Sequence, residues 1–248
     1  MSEIDIIRFS EARAKALSDE RDNSSVGTLG EKLVHRTLKY YIDADSTHHE
    51  IKHLGSVADV KNPDGIFEIQ SRAFDKLTKK LSKFLDDSNV TLVYPLISQR
   101  YLTWIDPENG ETTPPRKVTK KGRKTDVLPE LARIAKYVLH DNFTLRIYEL
   151  EADEYRTLDG YGAEKKKRAT KLNLIPRELI SVSEYKSLGD LSSLLPEGLE
   201  SRFFAKDFYA LTRLRGRRGW FALTFCTEIG LVRCVGKSGN AFIYEKSN

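Results

Sequence analysis

Two acidic residues flank a tight turn in the stretch 58–72, ADVKNPDGIFEIQSR, and together they could bind a divalent cation. Folding a hairpin about residues 62–65 places Asp59 roughly opposite residues 67–68. Carboxylates are poor strand formers, so two of them that converge across a turn need either solvent or a cation. Mg²⁺ prefers oxygen ligands, usually one or two carboxylates, and keeps several waters. The stretch therefore predicts a carboxylate pair, Asp59 and Glu68, that could hold such an ion.

The hairpin itself is predicted from local turn chemistry. Strands are expected over 57–61 and 66–71, joined by Asn-Pro-Asp-Gly, because Pro presets φ and Gly tolerates positive φ. Alternation along the second strand puts Glu68 and Gln70 on the same face. Asp64, within the turn, is a competing acid. Turn formation explains Asp64 fully, so it ranks below the other two carboxylates.

Alternating helical and strand-like segments surround this hairpin. An amphipathic helix is predicted over 26–42, with Glu31 in its first turn, and a second helix over 72–85. A third helix is expected over 127–139. Further strands are predicted over these ranges: 49–54, 90–97, 100–106 and 143–155. The pattern predicts a mixed α/β domain with helices that flank the sheet.

The C-terminal residues differ in character from the rest of the chain. Residues 205–246 predict a short helix, a turn, a second helix and a two-stranded ribbon, which is the element order of a winged helix. From 200 to 248 there are nine Lys and Arg residues against four acids. This excess equals the +5 formal charge of the whole 248-residue chain.

Basic side chains crowd the predicted turn of this C-terminal segment. A helix–turn–helix meets a DNA groove and its phosphates at this position. The candidate nucleic-acid-binding residues are Arg213, Arg215, Arg217, Arg218 and, at the tip of the ribbon, Lys237. Winged helices also dimerise or pack internally, and that alternative stays open. Trp220 and Phe221 are expected in the core.

Composition restricts the function class only in part. The chain has 41 Lys and Arg residues against 36 acids, an excess that permits a polyanionic partner without demanding one. Its two cysteines have neither the number nor the spacing of a zinc site or a disulfide framework. No apolar run reaches the roughly 20 residues of a membrane span, and the N-terminal residues lack the apolar core of a signal peptide. We therefore expect a cytoplasmic protein without a membrane partner.

The order of these parts resembles the PD-(D/E)XK nuclease superfamily, over about residues 26–106. That superfamily has a helix with a Glu, a strand with an Asp, a turn, a strand with Glu-x-Lys or Glu-x-Gln, and a helix. More narrowly, EIQSRAFDKLTKKL, LVYPL and KKGRKTDVLPELARI resemble a bacterial group that pairs such a core with a C-terminal winged helix. The resemblance implies a restriction-endonuclease-like mixed sheet flanked by helices.

The resemblance also implies a role for each matched residue. Asp59 and Glu68 would be metal ligands, with the Ile69 carbonyl as a third ligand. Glu31 would join them directly or through water. Gln70 stands where most members have Lys; it can hydrogen-bond a water or a phosphate but carries no charge. These four side chains, Glu31, Asp59, Glu68 and Gln70, are the candidate catalytic residues.

The sequence thus predicts a nuclease-like domain over 1–160, a connecting segment over 161–198 and a winged helix over 199–248. The expected activity is Mg²⁺- or Mn²⁺-dependent hydrolysis of duplex or branched DNA. A homodimer is compatible with this activity, because cutting two strands usually needs two active sites. The alternatives are a non-catalytic DNA-binding or regulatory protein with a degenerate nuclease core, and a structural protein whose winged helix makes a dimer.

Overall fold

A computed structural model describes residues 4–19, 29–161 and 167–247, without the side chains of 29–32, 159–161 and 167–168. The helices in these ranges, α1 to α8, are Ile6–Ser18, Leu29–Ile42, Thr78–Phe84, Leu128–Leu131, Ala135–Val138, Leu188–Ser192, Ala205–Thr212 and Gly216–Glu228. The strands, β1 to β10, are His49–His53, Ser56–Asn62, Gly65–Ile69, Val90–Ile105, Arg116–Lys117, Phe143–Tyr161, Lys167–Tyr185, Arg202–Phe204, Val232–Ser238 and Ala241–Lys246.

Strands β1 to β7 form one seven-stranded mixed sheet, in the order β1-β2-β3-β4-β6-β7 with β5 also paired to β4. The pairs β3–β4 and β4–β6 are parallel, whereas β1–β2, β2–β3 and β6–β7 are antiparallel. Helices pack on both faces of this sheet. The predicted mixed α/β class with flanking helices is therefore confirmed.

The predicted hairpin is present as β2 and β3. Val60 pairs with Phe67 and Asn62 with Gly65, so the turn is the Asn-Pro-Asp-Gly segment. Gly65 has φ +128°, a conformation that side chains disfavour and glycine adopts readily. The turn chemistry read from the sequence thus sets the strand register beside both acids.

Alternation along the central strands separates the core into two layers. Leu92 and Ile66 face one layer, which contains Leu81 and Phe84 from the α3 region. Val93 faces the other layer, where α1 and α2 pack. Burial on both faces explains why the run Val-Thr-Leu-Val-Tyr-Pro-Leu-Ile reads as continuously apolar.

Three predicted elements differ in detail from the structure. The strands predicted over 90–97 and 100–106 are one strand, β4, with an irregularity against β6 between Ile97 and Gln99. The helix predicted over 72–85 begins as a 3₁₀ turn, Phe74–Leu77, before α3. The helix predicted over 127–139 is divided into α4 and α5, and the start of the helix predicted over 26–42 lies outside the described residues.

The segment 161–198, predicted as a connection, contains the long strand β7. Along its described length β7 pairs with β6. Pro176 lies at one of the irregularities in this pairing, consistent with the restriction of proline to edge strands and bulges. Part of the predicted connection therefore belongs to the main sheet.

The C-terminal region contains α7, α8 and a three-stranded sheet in the order β8-β10-β9. Leu223, Cys226 and Ile229 are buried along one face of α8 as predicted, and Gly230 follows it with φ +83° in the usual helix-terminating conformation. Phe225 joins the same hydrophobic cluster as Leu131 of α4. The C-terminal helices thus pack against the sheet domain through a shared core.

In the part of the chain that the structure describes, every helix is too short or too polar to cross a membrane.

Candidate functional site

The hairpin brings Asp59 against the second acidic arm. The register that pairs Val60 with Phe67 places Asp59 across from Glu68. Asp59 Oδ2 accepts a hydrogen bond from the backbone N–H of Ile69 at 2.7 Å. This bond orients the Asp59 carboxylate toward the strand segment that carries Glu68.

Glu68 is buried, with 1% of its surface exposed. Its Oε2 accepts a hydrogen bond from Lys80 Nζ at 2.7 Å. Its Oε1 is buried and has no hydrogen-bond partner among the described residues. Burial, followed by the negative charge of Asp59, raises the pKa of Glu68 from 4.5 to about 7, although Lys80 opposes the rise. Glu68 is therefore a carboxyl group that gains or loses its proton near neutral pH.

A strained connection positions Lys80. Between β3 and α3, Ala73 adopts a left-handed conformation with φ 57°, which is uncommon for a residue with a side chain. The backbone N–H of Ala73 donates to Glu130 Oε2 at 2.8 Å. The chain reverses direction at Ala73. Helix α3 therefore runs back along the sheet, and Lys80 reaches the Glu68 carboxylate.

Asp59 also has a lysine nearby. Lys39 Nζ lies 4.0 Å from Asp59 Oδ1 and forms a shorter contact, 2.8 Å, with Glu50 Oε1. Both carboxylates therefore have a cationic neighbour in the protein. A metal ion at this position would share or displace the Lys80 contact.

The Gln70 side chain points toward the loop that follows strand β3. Its backbone N–H donates to the Val93 carbonyl at 3.0 Å, which continues the β3–β4 pairing. Its side-chain amide donates to the Arg72 carbonyl at 2.6 Å. The Ile69 side chain is buried, and its N–H is the group bound by Asp59.

Glu31 and Asp64 are the other two acids that the sequence placed near this site. Glu31 lies on α2, and its side chain is outside the described part of the structure. The exposed Asp64 donates its backbone N–H to Asn62 Oδ1 at 3.0 Å, consistent with the turn role read from the sequence. Among the described residues, no group of three His, Cys, Asp or Glu side chains is arranged to hold a metal ion. Asp59 and Glu68 are thus a pair within the described side chains.

Sequence reasoning did not identify Lys80 or Lys39. Lys80 lies twelve positions beyond Glu68, in a helix with several other lysines. Only the orientation of α3 distinguishes it from Lys76 or Lys79. No pattern in the sequence singles it out.

The predicted nucleic-acid-binding arginines lie around the α7–α8 turn. Arg213 follows α7 with φ 57°, and Arg215 is the N-cap of α8. Arg213, Arg215 and Arg217 are exposed and form no ion pair with another described residue. Arg218 lies 3.6 Å from Asp126 Oδ1. The exposed Lys237 places its Nζ 4.4 Å from the centre of the Phe242 ring.

Trp220 is not a core residue, contrary to the expectation from the sequence. It is 56% exposed, because it lies on the outward face of α8. Phe221 is partly buried and stacks beneath Arg133, whose guanidinium carbon lies 4.4 Å from the ring centre. Together with Arg217 and Arg218, these residues line a groove of about 530 Å³, to which Pro129 and the acidic Glu130 also contribute. The hydrophobic pattern of α8 did not distinguish this face from the buried one.

Comparison with known proteins identifies a relative over most of the chain. A relative from Treponema pallidum (strain Nichols), named "Uncharacterized protein", is 28% identical over 226 residues, which cover 90% of this chain and 88% of the relative. No solved structure matches the chain. Residues 32–186 match the family model described as Domain of unknown function (DUF8091). This match spans the whole sheet with Asp59 and Glu68, and stops before the C-terminal helices. Because it covers more than half of the sequence, the chain belongs to the DUF8091 family.

Proposed function

We propose that the protein is a metal-dependent endonuclease that hydrolyses DNA phosphodiesters at Asp59 and Glu68. The observation that carries this proposal is the environment of Glu68, which is buried beside a second acid with Oε1 lacking a hydrogen-bond partner among the described residues. Burying a polar group without a partner is unfavourable. Acids held in such surroundings, with a strongly shifted pKa, concentrate at functional sites.

The fold supports the same proposal. Helix α2, the β2–β3 hairpin, α3 and the parallel β4 follow one another in the order expected of a restriction-endonuclease-like core. Helices α7 and α8, followed by the β9–β10 hairpin with β8 at its side, have the element order of a winged helix. Under this proposal the first part would cut the strand and the second would hold the duplex.

The donor atoms suit a hard divalent cation. Asp59 and Glu68 offer carboxylate oxygens, which Mg²⁺ and Mn²⁺ prefer, and Glu68 Oε1 is the oxygen without a described partner. The Ile69 carbonyl would be the third protein ligand. A bound ion supplies polarisation of the phosphate and a lowered pKa for a bound water.

The protein's own residues would position the substrate. Lys80 Nζ, beside Glu68 Oε2, supplies a positive charge that Gln70 lacks. This charge would stabilise the extra negative charge that develops on a phosphate under attack. Gln70, whose amide now donates to the Arg72 carbonyl, would orient a water only after leaving that contact.

The decisive experiment is a plasmid-nicking assay with the full-length protein in Mg²⁺ or Mn²⁺, on supercoiled and branched DNA. Asp59→Ala should abolish cleavage while thermal unfolding remains cooperative. Asp64→Ala is the matched control, because it removes an acid from the same hairpin and should retain activity. Cleavage by Asp59→Ala at the rate of the unchanged protein would assign the activity to another site or to a contaminant.

A non-catalytic DNA-binding protein is the second candidate. The contact between Lys80 and Glu68 favours it, because this ion pair satisfies one carboxylate oxygen without any metal. This candidate predicts salt-dependent DNA binding in EDTA, without cleavage in either metal. Mn²⁺ binding that is lost in Asp59→Ala would argue against it.

A further inference from the structure

A groove of about 530 Å³ opens between helices α4 and α8. The α4 side supplies Pro129, Glu130 and Arg133, and α8 supplies two arginines and two aromatic rings. This α4–α8 groove therefore lies at the junction between the sheet domain and the C-terminal helices. Its volume falls within the roughly 300–1,000 Å³ of ligand pockets, so a single nucleotide fits in it.

Trp220 forms a ridge at the side of this groove. It is 56% exposed, and it also lines a second groove, of about 430 Å³, together with Phe242 and Tyr244. Its ring meets Phe221 edge to face, with 4.9 Å between the ring centres. Such a contact covers at most one face of the indole ring. Trp220 therefore keeps flat apolar surface on which another flat group can stack.

The charges of the α4–α8 groove favour an anionic chain. Arg133 and Arg217 are exposed and form no ion pair with any residue that the structure describes. Arg218 lies beside Asp126, which offsets its charge. Glu130 is the groove's own acid, and its Oε2 accepts a hydrogen bond from a backbone N–H in the loop after β3. Two available arginines therefore face one carboxylate, an excess small enough that an anionic ligand would also need the aromatic ridge.

The second groove differs in charge. None of its described lining residues is cationic, and one of them, Glu228, is acidic. The phosphates next to a group stacked on Trp220 are therefore expected on the α4 side of the ridge. Arg217, on that side, is one of the exposed arginines at the α7–α8 turn. The α4–α8 groove thus continues the candidate nucleic-acid-binding surface.

We infer that the α4–α8 groove binds an unpaired stretch of DNA, with one base stacked on Trp220 and its phosphates beside Arg133 and Arg217. In a duplex both faces of each base are covered by the neighbouring pairs, so only an unpaired or terminal base can stack on a side chain. Proteins that hold single strands combine aromatic side chains with a basic groove, and this stacking tolerates any base. The choice of DNA rests on the proposed function, for which the groove would define a branched or gapped substrate.

The first measurement compares two single strands with equal numbers of phosphates: oligothymidine and an abasic counterpart, which lacks every base. Binding to the full-length protein is followed in EDTA by the anisotropy of a labelled strand. Stacking of one base adds about fivefold or more to the affinity, so oligothymidine should bind at least that much more tightly. Trp220→Ala should abolish the difference by weakening only the oligothymidine complex. Trp220→Phe should retain part of it, whereas Trp220→Leu, which keeps an apolar side chain without a ring, should not.

Tryptophan fluorescence reports the stacking directly. The chain has two tryptophans, so Trp104→Phe leaves Trp220 as the single indole. Oligothymidine should quench its emission, because a stacked base quenches indole fluorescence, and the abasic strand should not. Trp104→Phe is also the control for affinity, since it changes the other tryptophan and should retain the preference. Arg217→Gln should weaken both strands alike, as expected for a contact to phosphate.

Three results would overturn the inference: equal affinity of the unchanged protein for the two strands, a preference that survives Trp220→Ala, or an equal loss of both strands in that variant. A dimer that dissociates in Trp220→Ala while the preference persists would assign the ridge to a second copy of the chain. The assay needs no cleavage, so it is independent of the nuclease activity. A protein that prefers oligothymidine without cutting DNA would lose only the proposed catalysis. A nuclease without the preference would lose only the single-strand site.

Discussion

Lys80 Nζ lies 2.7 Å from Glu68 Oε2 and joins helix α3 to strand β3. The Glu68 side chain is almost fully enclosed, whereas that of Lys80 is 27% exposed. The pair therefore stands at the edge of the core, where its lysine reaches solvent. Lys80 therefore places a positive charge beside the two acids. It does so from helix α3, whereas Gln70 directly follows strand β3.

Replacing Lys80 should affect both stability and the proposed chemistry. Lys80→Ala leaves Glu68 buried without its cationic partner, so the pKa of Glu68 should rise further and the protein should lose about 1–3 kcal/mol of stability at neutral pH. Metal-dependent cleavage should fall by about a hundredfold or more, as for loss of one transition-state donor, and Lys80→Arg should restore part of it. Urea unfolding and plasmid nicking measure the two effects. Lys79→Ala, at the neighbouring exposed position, should change neither, and equal losses in both variants would contradict a specific role for Lys80.

The raised pKa of Glu68 predicts a pH-dependent stability. The folded state binds the Glu68 proton more tightly than the unfolded state does. This tighter binding stabilises the fold in full below pH 4.5, and the stabilisation is lost as the pH rises through about 7. At about 1.4 kcal/mol for each pKa unit, the loss approaches roughly 3 kcal/mol. Glu68→Gln mimics the protonated form, so in EDTA it should match the unchanged protein at pH 4 and exceed its stability at pH 8. Urea unfolding across this pH range measures the difference, and a constant difference between the two proteins would show that Glu68 titrates normally.

Local chemistry made the hairpin and the C-terminal elements predictable. Asn-Pro-Asp-Gly specifies a turn through the backbone preferences of adjacent residues, so the register around Asp59 and Glu68 follows from a few positions. Gly230 likewise marks the end of α8, as its positive φ bears out. These features depend on residues that are adjacent in the sequence, so one sequence is enough to predict them.

Features that depend on the rotation or pairing of distant elements were not predictable. Lys80 meets Glu68 only because the Ala73 reversal sets the direction of α3. Strand β7 carries charged residues and Pro176, which weaken its strand signal, and it becomes a strand through its long pairing with β6. The exposure of Trp220 depends on which face of α8 meets α4. In each case tertiary packing, rather than local sequence preference, determines the observed structure.

The turn glycine provides a test of the hairpin geometry. A Cβ at Gly65 would lie 2.5 Å from the Asn89 carbonyl oxygen, and its φ of +128° is unfavourable for a side chain. Gly65→Ala should therefore destabilise the protein by at least about 2 kcal/mol. Gly110→Ala is the control, since Gly110 also has positive φ, +75°, but nothing within 4 Å of the added atom; it should lose only about 1 kcal/mol. Urea unfolding measures both, and equal losses would mean that the close approach to Asn89 relaxes freely.

The exposed arginines at the α7–α8 turn should account for much of any DNA binding. Arg213, Arg215 and Arg217 form no ion pair with another described residue, so their charges are available to phosphates. Each phosphate contact contributes about 0.9 to the slope of log K against log salt, so replacing all three with Gln should flatten that slope by about 2–3. The control removes the same charge from exposed lysines elsewhere: Lys15, Lys52 and Lys136. Anisotropy of duplex DNA across a salt series measures both slopes, and an unchanged slope in the arginine variant would place the DNA contacts on another surface.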